Sequence, residues 1–225
     1  MKDNTNCIRE NWSKIINEYN KLLRRRFVIK KYDNNLNKGV TDEQIKEAEQ
    51  VLEFSFPSEL AELYKCNNGN ITNGEENVYL GAILGLQFIS LEVLIYTWKE
   101  WCKFTDEKAL DEYCTSIDEG KIKCLYANDH WIPFASDGWG NHIGIDLDPD
   151  INGTIGQVIN FGRDEDDKIV LSNNLNEFLE LMINIIKSKD FKLVNKIGEE
   201  AKFYRGSGDK GIHAIDYLKE TLKYK

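Results

Sequence analysis

WIPFASDGWGNHIGIDLDPDINGTIGQVINF, residues 131–161, decides the fold class of this chain. Within it HIGIDL (142–147) alternates, with Ile143, Ile145 and Leu147 facing one way and His142, Gly144 and Asp146 the other. That is the period of a half-buried strand. DPDING (148–153) supplies turn chemistry: Pro149 fixes φ, and Asn152 and Gly153 tolerate φ > 0. IGQVINF (155–161) returns as the partner strand. Upstream, SDGWGN (136–141) is a tight polar turn around one large aromatic, Trp139. In WIPFA (131–135), Pro133 lacks an N–H, so this strand is expected at an edge or to begin there. An antiparallel meander is the expected structure.

Outward toward the C-terminus, GRDEDDK (162–168) reads as a charged hairpin tip and Ile169–Leu171 as a strand. A helix over 174–188 carries Leu175, Phe178, Leu179, Met182, Ile183 and Ile186 on one face, which should pack across the sheet. Beyond it, Val194 and Ile197 suggest a short helix, 205–211 a loop, and 213–222 a last amphipathic helix. Outward toward the N-terminus, Lys121–Tyr126 is a strand candidate and 105–120 a short helix plus loop. Ser90 caps a helix with Leu91, Leu94, Ile95, Trp98 and Cys102 on one face and Trp101 at its edge. Residues 77–87 read as short strands broken by glycines.

The N-terminal third has the clearest local signals. Thr41 and Gln44 form a T-x-x-Q capping box, followed by a stripe of Ile45, Ala48 and Leu52. FSFP (54–57) ends that helix, because the residue before a proline avoids the α region. A helix from Ser58 to about Cys66 buries Leu60, Leu63 and Tyr64, and Asn67, Asn68 and Gly69 stop it by accepting the left-handed conformation. The first helix is expected over 11–26, with Trp12, Ile15, Ile16, Tyr19, Leu22 and Leu23 as its stripe and Asn11 or Ser13 as its cap. Arg24, Arg25 and Arg26 complement the negative pole of its dipole, and 31–39 reads as a connector.

Composition narrows the function classes. Hydrophobic residues at 41% and aromatics at 11% of 225 residues describe a globular chain that can bury a full core. A net charge of −9 argues against a general nucleic-acid binder, which needs a basic footprint. It suits a basic partner. The five cysteines (7, 66, 102, 114, 124) contain no CxxC and read as small apolar residues, 102 and 114 in or near helices and 124 in a strand. The N-terminal residues lack an apolar signal-like region and no run has the length of a bilayer span, so the reduced cytoplasm is the expected compartment.

GVTDEQIKEAEQVLEFSFPSELAELYKCNNGN (39–70) is similar to the opening of the SUKH superfamily, in the branch that includes fungal cell-wall assembly regulators. Glu49, Pro57, Asn68 and Gly69 sit where that pattern expects them. The 131–161 stretch resembles the family's W-x-P-x-x-x-D-x-x-G and D-x-x-P…G-x-x-G-Q-V signature. The resemblance covers most of the chain. The expected fold is α+β: an antiparallel-dominated mixed sheet with helices packed against it, one domain (38–188) with a helical N-terminal extension (1–37) and a C-terminal helical tail (189–225) that is an accessory helix or a partner-binding arm.

Three constellations carry residue types suited to chemistry. Asp148-x-Asp150-x-Asn152-Gly153 matches the first half of a calcium loop, but Ile159 stands where the bidentate glutamate belongs. Asp129, His130, Asp137, His142 and Asp146 sketch a metal or hydrolytic centre without HExxH spacing. No GxSxG nucleophile and no strand–GxGxxG–helix setting occurs. No cofactor, metal or catalytic residue is assigned. Trp139, between two glycines, is the candidate anchor of a binding site. Asp137, Asp150, Asp164, Glu165, Asp166 and Asp167 are its candidate acidic rim.

Resemblance to the SUKH superfamily implies a non-enzymatic bacterial immunity protein, which occludes the active site of a cognate toxin with a basic surface, a nuclease being one such toxin. Nucleic acid and membrane are not expected partners. Two alternatives stand beside it: a regulatory scaffold, as the fungal branch suggests, and an enzyme built on His130, His142 and Asp146.

Overall fold

The computed structural model of the chain describes residues 4–24, 35–71, 81–188, 191–192, 202–203 and 212–223. Arg25, Arg26, residues 31–34 of the connector, 77–80, Val194, Ile197 and the 205–211 loop lie outside them. The fold is α+β, with antiparallel strands dominating the main sheet. Two compact units divide the chain: Met1–Phe88 with Leu179–Ala214, and Ile89–Phe178 with Ile215–Lys225.

In the first unit, α1 runs Asn4–Arg24, starting seven residues before the expected onset at 11. Ile8 extends the stripe by one turn: Ile8, Trp12, Ile15 and Tyr19 are all buried. Asn11 therefore lies within the helix rather than at its cap, 5% exposed, with its Nδ2 directed at Glu180 (3.4 Å). Strand β1 (Leu36–Lys38) leads to α2 (Asp42–Leu52), where both halves of the Thr41–Gln44 capping box form. Glu53 ends α2 in the left-handed conformation (φ 63°), and the Glu49 carboxylate accepts the Phe56 N–H at 2.9 Å. The mid-helix glutamate thus satisfies a backbone donor freed by the break at Pro57. Helix α3 (Ser58–Cys66) buries Leu60, Leu63 and Tyr64 as expected. Its stop differs. Asn67 is extended (φ −150°) and opens strand β2 (Asn67–Asn70), which pairs antiparallel with β1; only Gly69 takes a positive φ. Trp12 Nε1 donates to Asn67 Oδ1 (2.9 Å), a tie between α1 and β2 that local preference does not foresee. Gln87–Phe88 is the short strand β3, and Asn70 Oδ1 accepts the N–H groups of both Ala82 and Phe88.

The second unit opens with α4 (Leu91–Cys102), capped by Ser90 as expected. A short α5 (Lys108–Asp111) and β4 (Thr115–Ser116) follow. The meander is β5 (Trp131–Ser136), β6 (Asn141–Asp146) and β7 (Gln157–Gly162), antiparallel throughout. After β8 (Asp167–Lys168), β9 (Val170–Ser172) joins β7, giving the order β5-β6-β7-β9. The strand carrying Pro133 is not a bare edge: the Ile89 N–H donates to the Phe134 carbonyl (3.1 Å). The proline is in register with Gly144, and the register shifts directly after it, between Pro133 and Ala135. Helix α6 (Leu175–Lys187) begins in this unit and continues from Leu179 in the first; its expected face is buried, and within the second unit Phe178 meets Phe134 at 5.9 Å between ring centroids. Strands β10 (Phe191–Lys192) and β11 (Lys202–Phe203) pair antiparallel in the first unit, and α7 (Ala214–Leu222) belongs to the second.

The half-buried strand is corrected most sharply. Every residue of β5, β6 and β7 is buried, on both faces. The polar face is covered because Ile122, Trp131, Ile159 and Phe161 form a core with Trp101, Leu125 and Val170 packed against it. Lys121–Tyr126 supplies part of that cover as irregular chain, not as a strand: the Lys121 carbonyl is taken by Asp150 N–H (3.2 Å) and Gln157 Nε2 (2.9 Å). Cys124, expected in a strand, is exposed on this segment. In the 148–153 turn neither Asn152 nor Gly153 takes a positive φ; Gly156 does (φ 92°). The 162–168 stretch is not a free hairpin tip. Asp167–Lys168 pairs in parallel with Thr115–Ser116, and Glu165 and Lys168 are buried.

Candidate interaction surface

At one end of the meander the turn between β5 and β6 is organised by a single carboxylate. Asp137 Oδ1 accepts the N–H groups of Trp139 (2.7 Å) and Asn141 (3.0 Å), and Oδ2 accepts from Asn141 Nδ2 (2.8 Å). Gly138 (φ 79°) and Gly140 (φ 101°) take the left-handed conformation that the turn requires. The turn after β7 is tied to it: Arg163 N–H donates to the Gly140 carbonyl (3.0 Å), and Asp164 N–H to Asn141 Oδ1 (2.9 Å). On this braced support Trp139 is 73% exposed. A large aromatic held out by a satisfied backbone is the feature of an interaction anchor.

Carboxylates and further aromatics surround the second turn. Asp164 pairs with Arg163 (3.0 Å), which holds its carboxyl below the usual range. Asp166 is exposed, and Asp167 accepts from the Thr115 hydroxyl (2.6 Å). Tyr126 lies close enough that burial first, then Asp166 and Asp164, push its phenol up. Its ring packs with Trp101 (5.4 Å) and Phe104 (6.0 Å). Phe104 and Tyr113 are 42% and 70% exposed.

The structure brings Asp137, Trp139, Asp164, Asp166 and Asp167 to this end and separates two other candidates from them. Asp150 sits in the β6–β7 connection, the length of a six-residue strand away, about 20 Å. Glu165 is 5% exposed; its carboxylate is paired with Lys219 of α7 (2.6 Å) and bonded by Asn160, so it is structural. Phe104 and Tyr113 were missed because they are isolated apolar residues in a polar segment without periodicity. Ile151 and Ile155, at positions whose sequence is that of a turn and a strand, are 88% and 73% exposed in the β6–β7 connection.

The sketched metal or hydrolytic centre is dispersed into other duties. His130 Nδ1 is bonded to Asp129 (2.5 Å). His142 is buried between Trp101 (5.9 Å) and Phe161 (5.5 Å) with its Nδ1 unpartnered, and burial lowers its pKa to about 4. Asp146 is fully buried; it accepts from Trp131 Nε1 (3.1 Å), Gln157 Nε2 (2.8 Å) and the Asp148 N–H (2.9 Å), yet burial raises its pKa to about 6. Asp148, the first position of the calcium-like loop, is held by Lys123 and Asn128. Among the described residues no group of three or more His, Cys, Asp or Glu is arranged to hold a metal, and no helix is long and apolar enough to cross a membrane.

The fold is α+β, and one end of its main sheet carries a braced turn with an exposed aromatic and several carboxylates. The chain belongs to the SMI1 / KNR4 family (SUKH-1), whose sequence pattern matches residues 39–181. It is 29% identical to KNR4/SMI1 homolog 2 of Debaryomyces hansenii, over 77% of this chain and 35% of that protein. It is 27% identical to the cell wall assembly regulator SMI1 of Saccharomyces cerevisiae, over 77% and 40%. It is 24% identical to the glucan synthesis regulatory protein of Neurospora crassa, over 69% and 35%. The matched region spans well under half the length of these relatives.

These relatives correct the functional expectation. All three are fungal proteins, and those of Saccharomyces cerevisiae and Neurospora crassa are named as regulators, so the bacterial immunity protein, its toxin system and the toxin as partner give way to the regulatory alternative. The physical reason for the error is plain. Net charge and a shared fold speak to the chemistry of a contact, and neither distinguishes a toxin from a signalling partner.

Proposed function

We propose that this chain is a regulatory protein-interaction module, acting in the cytoplasm without catalysis of its own, in the same kind of role for which its fungal relatives are named. The observation that carries this reading is Trp139, 73% exposed on a turn in which Asp137 accepts the N–H groups of Trp139 and Asn141. Asp137 lies within the turn, Asp164 is tied to it through Asn141, and Asp166 and Asp167 follow in the chain as the acidic part of the proposed surface. Binding there needs little ordering of the turn, which reduces the entropy cost of association. The division into a 1–37 extension, a 38–188 core and a 189–225 arm belongs to the proposal as well.

The test is a chimera in which this chain replaces the matching segment of the Saccharomyces cerevisiae relative, assayed for growth on a cell-wall-binding dye. The wild-type chimera is expected to restore growth and the Trp139→Ala chimera to fail at equal abundance. Equal growth with Ala at 139, or no rescue by an abundant wild-type chimera, overturns the reading.

A further inference from the structure

The net charge is not spread over the molecule. Residues of the second unit include 20 acidic and 10 basic side chains, a formal charge of −10, whereas the first unit carries +1. Among the described residues, every large hydrophobic side chain that is exposed lies in that same acidic unit, Val51 excepted. Coincidence of exposed aromatic area with a net negative charge defines the chemistry of what would cover it. Phosphate-bearing ligands are repelled, and a purely apolar partner would leave the carboxylates without counter-charge.

Resting on the module reading above, we propose that the turn end of the second unit receives a partner segment carrying arginine and lysine side chains. The cationic heads meet Asp164 and Asp166, and the planar guanidinium stacks on the open face of Trp139. The aliphatic stems lie along Phe104 and Tyr113, as long cationic side chains do on apolar surface. The chain already carries a small version of this contact. Arg163, itself 60% exposed, occupies Asp164 from the adjacent position and competes with an incoming arginine.

The probe is a fluorescein-labelled dodecapeptide alternating arginine and leucine, titrated by anisotropy with the full chain in about 50 mM and about 300 mM NaCl. Wild type is expected to bind and to weaken about tenfold in the higher salt. Trp139→Ala should lose about tenfold or more in affinity, as truncation of an anchor does. Asp164→Asn with Asp166→Asn should lose about tenfold, while Arg163→Ala binds about threefold tighter because it frees Asp164. Glu119→Gln with Asp150→Asn makes the same charge change at the far end and should alter affinity by less than about twofold. Equal losses in the two double variants would reveal diffuse attraction and overturn the proposal, as would wild-type affinity in Trp139→Ala or no binding by wild type. If the peptide result fails while the chimera of the preceding section supports growth, the cationic segment is wrong and the module reading stands.

Discussion

Replacing His142 by phenylalanine should change how stability depends on pH, and the size of the change follows from the burial of two residues on one strand. His142 is 4% exposed, flanked by Trp101 and Phe161, with Nδ1 unpartnered. Burial lowers its pKa from 6.5 to about 4, although the nearby Asp137 charge and Ala135 carbonyl favour the protonated ring. The unfolded chain therefore takes up a proton across this window and the folded chain does not. Stability contributed by the neutral ring is present above about 6.5 and is lost as the pH falls, by about 3 kcal/mol on reaching pH 4. Asp146 works in the opposite direction. Its pKa is raised from 3.8 to about 6, so the ionised group costs the folded state at neutral pH and acidification relieves about 2 kcal/mol by pH 4. In wild type the two contributions nearly cancel.

His142→Phe removes one of them. In urea unfolding followed by tryptophan fluorescence, the variant should gain about 3 kcal/mol relative to wild type between pH 7 and pH 4, whatever its stability at neutral pH. Taking the difference between the two proteins removes the contributions of the surface carboxylates. Parallel stability–pH curves would show that the buried ring titrates normally in the folded protein, and the account of this face as sealed from water would be refuted.

Two further expectations rest on close approach and on buried charge. A Cβ at Gly144 would lie 2.5 Å from the Ile132 carbonyl and 2.6 Å from the Phe161 ring. Gly144→Ala should therefore cost about 2 kcal/mol or more in thermal or urea unfolding, and a variant as stable as wild type would contradict this strand spacing. Lys219→Met leaves the Glu165 carboxylate buried without its cation; a loss of about 3 kcal/mol is expected, with partial recovery in the Glu165→Gln, Lys219→Met double variant. If the double variant is no better than the single one, the pair is not coupled and α7 is held by other contacts.

What the sequence alone determined was the set of features carried by neighbours within a few residues. The Thr41–Gln44 box, the Ser90 cap, the break at Pro57 and the stripe of α6 each depend on groups within a turn or two of one another, and each formed as expected. The alternation in 142–147 and the motifs at 131–161 likewise led to the right sheet and the right family. Tertiary structure alone decided what lies against the polar side of that sheet. Asp146, Gln157 and His142 have the spacing of solvent-facing residues, and their burial depends on Trp101 and on Ile122 in an irregular segment. Thr115 finds Asp167 across 52 residues, Glu165 finds Lys219, and Asp150 is carried to the opposite end of the sheet from Trp139. Periodicity reports which side chains share a face; which distant segment covers that face, and which charges it seals in, is settled only when the chain closes on itself.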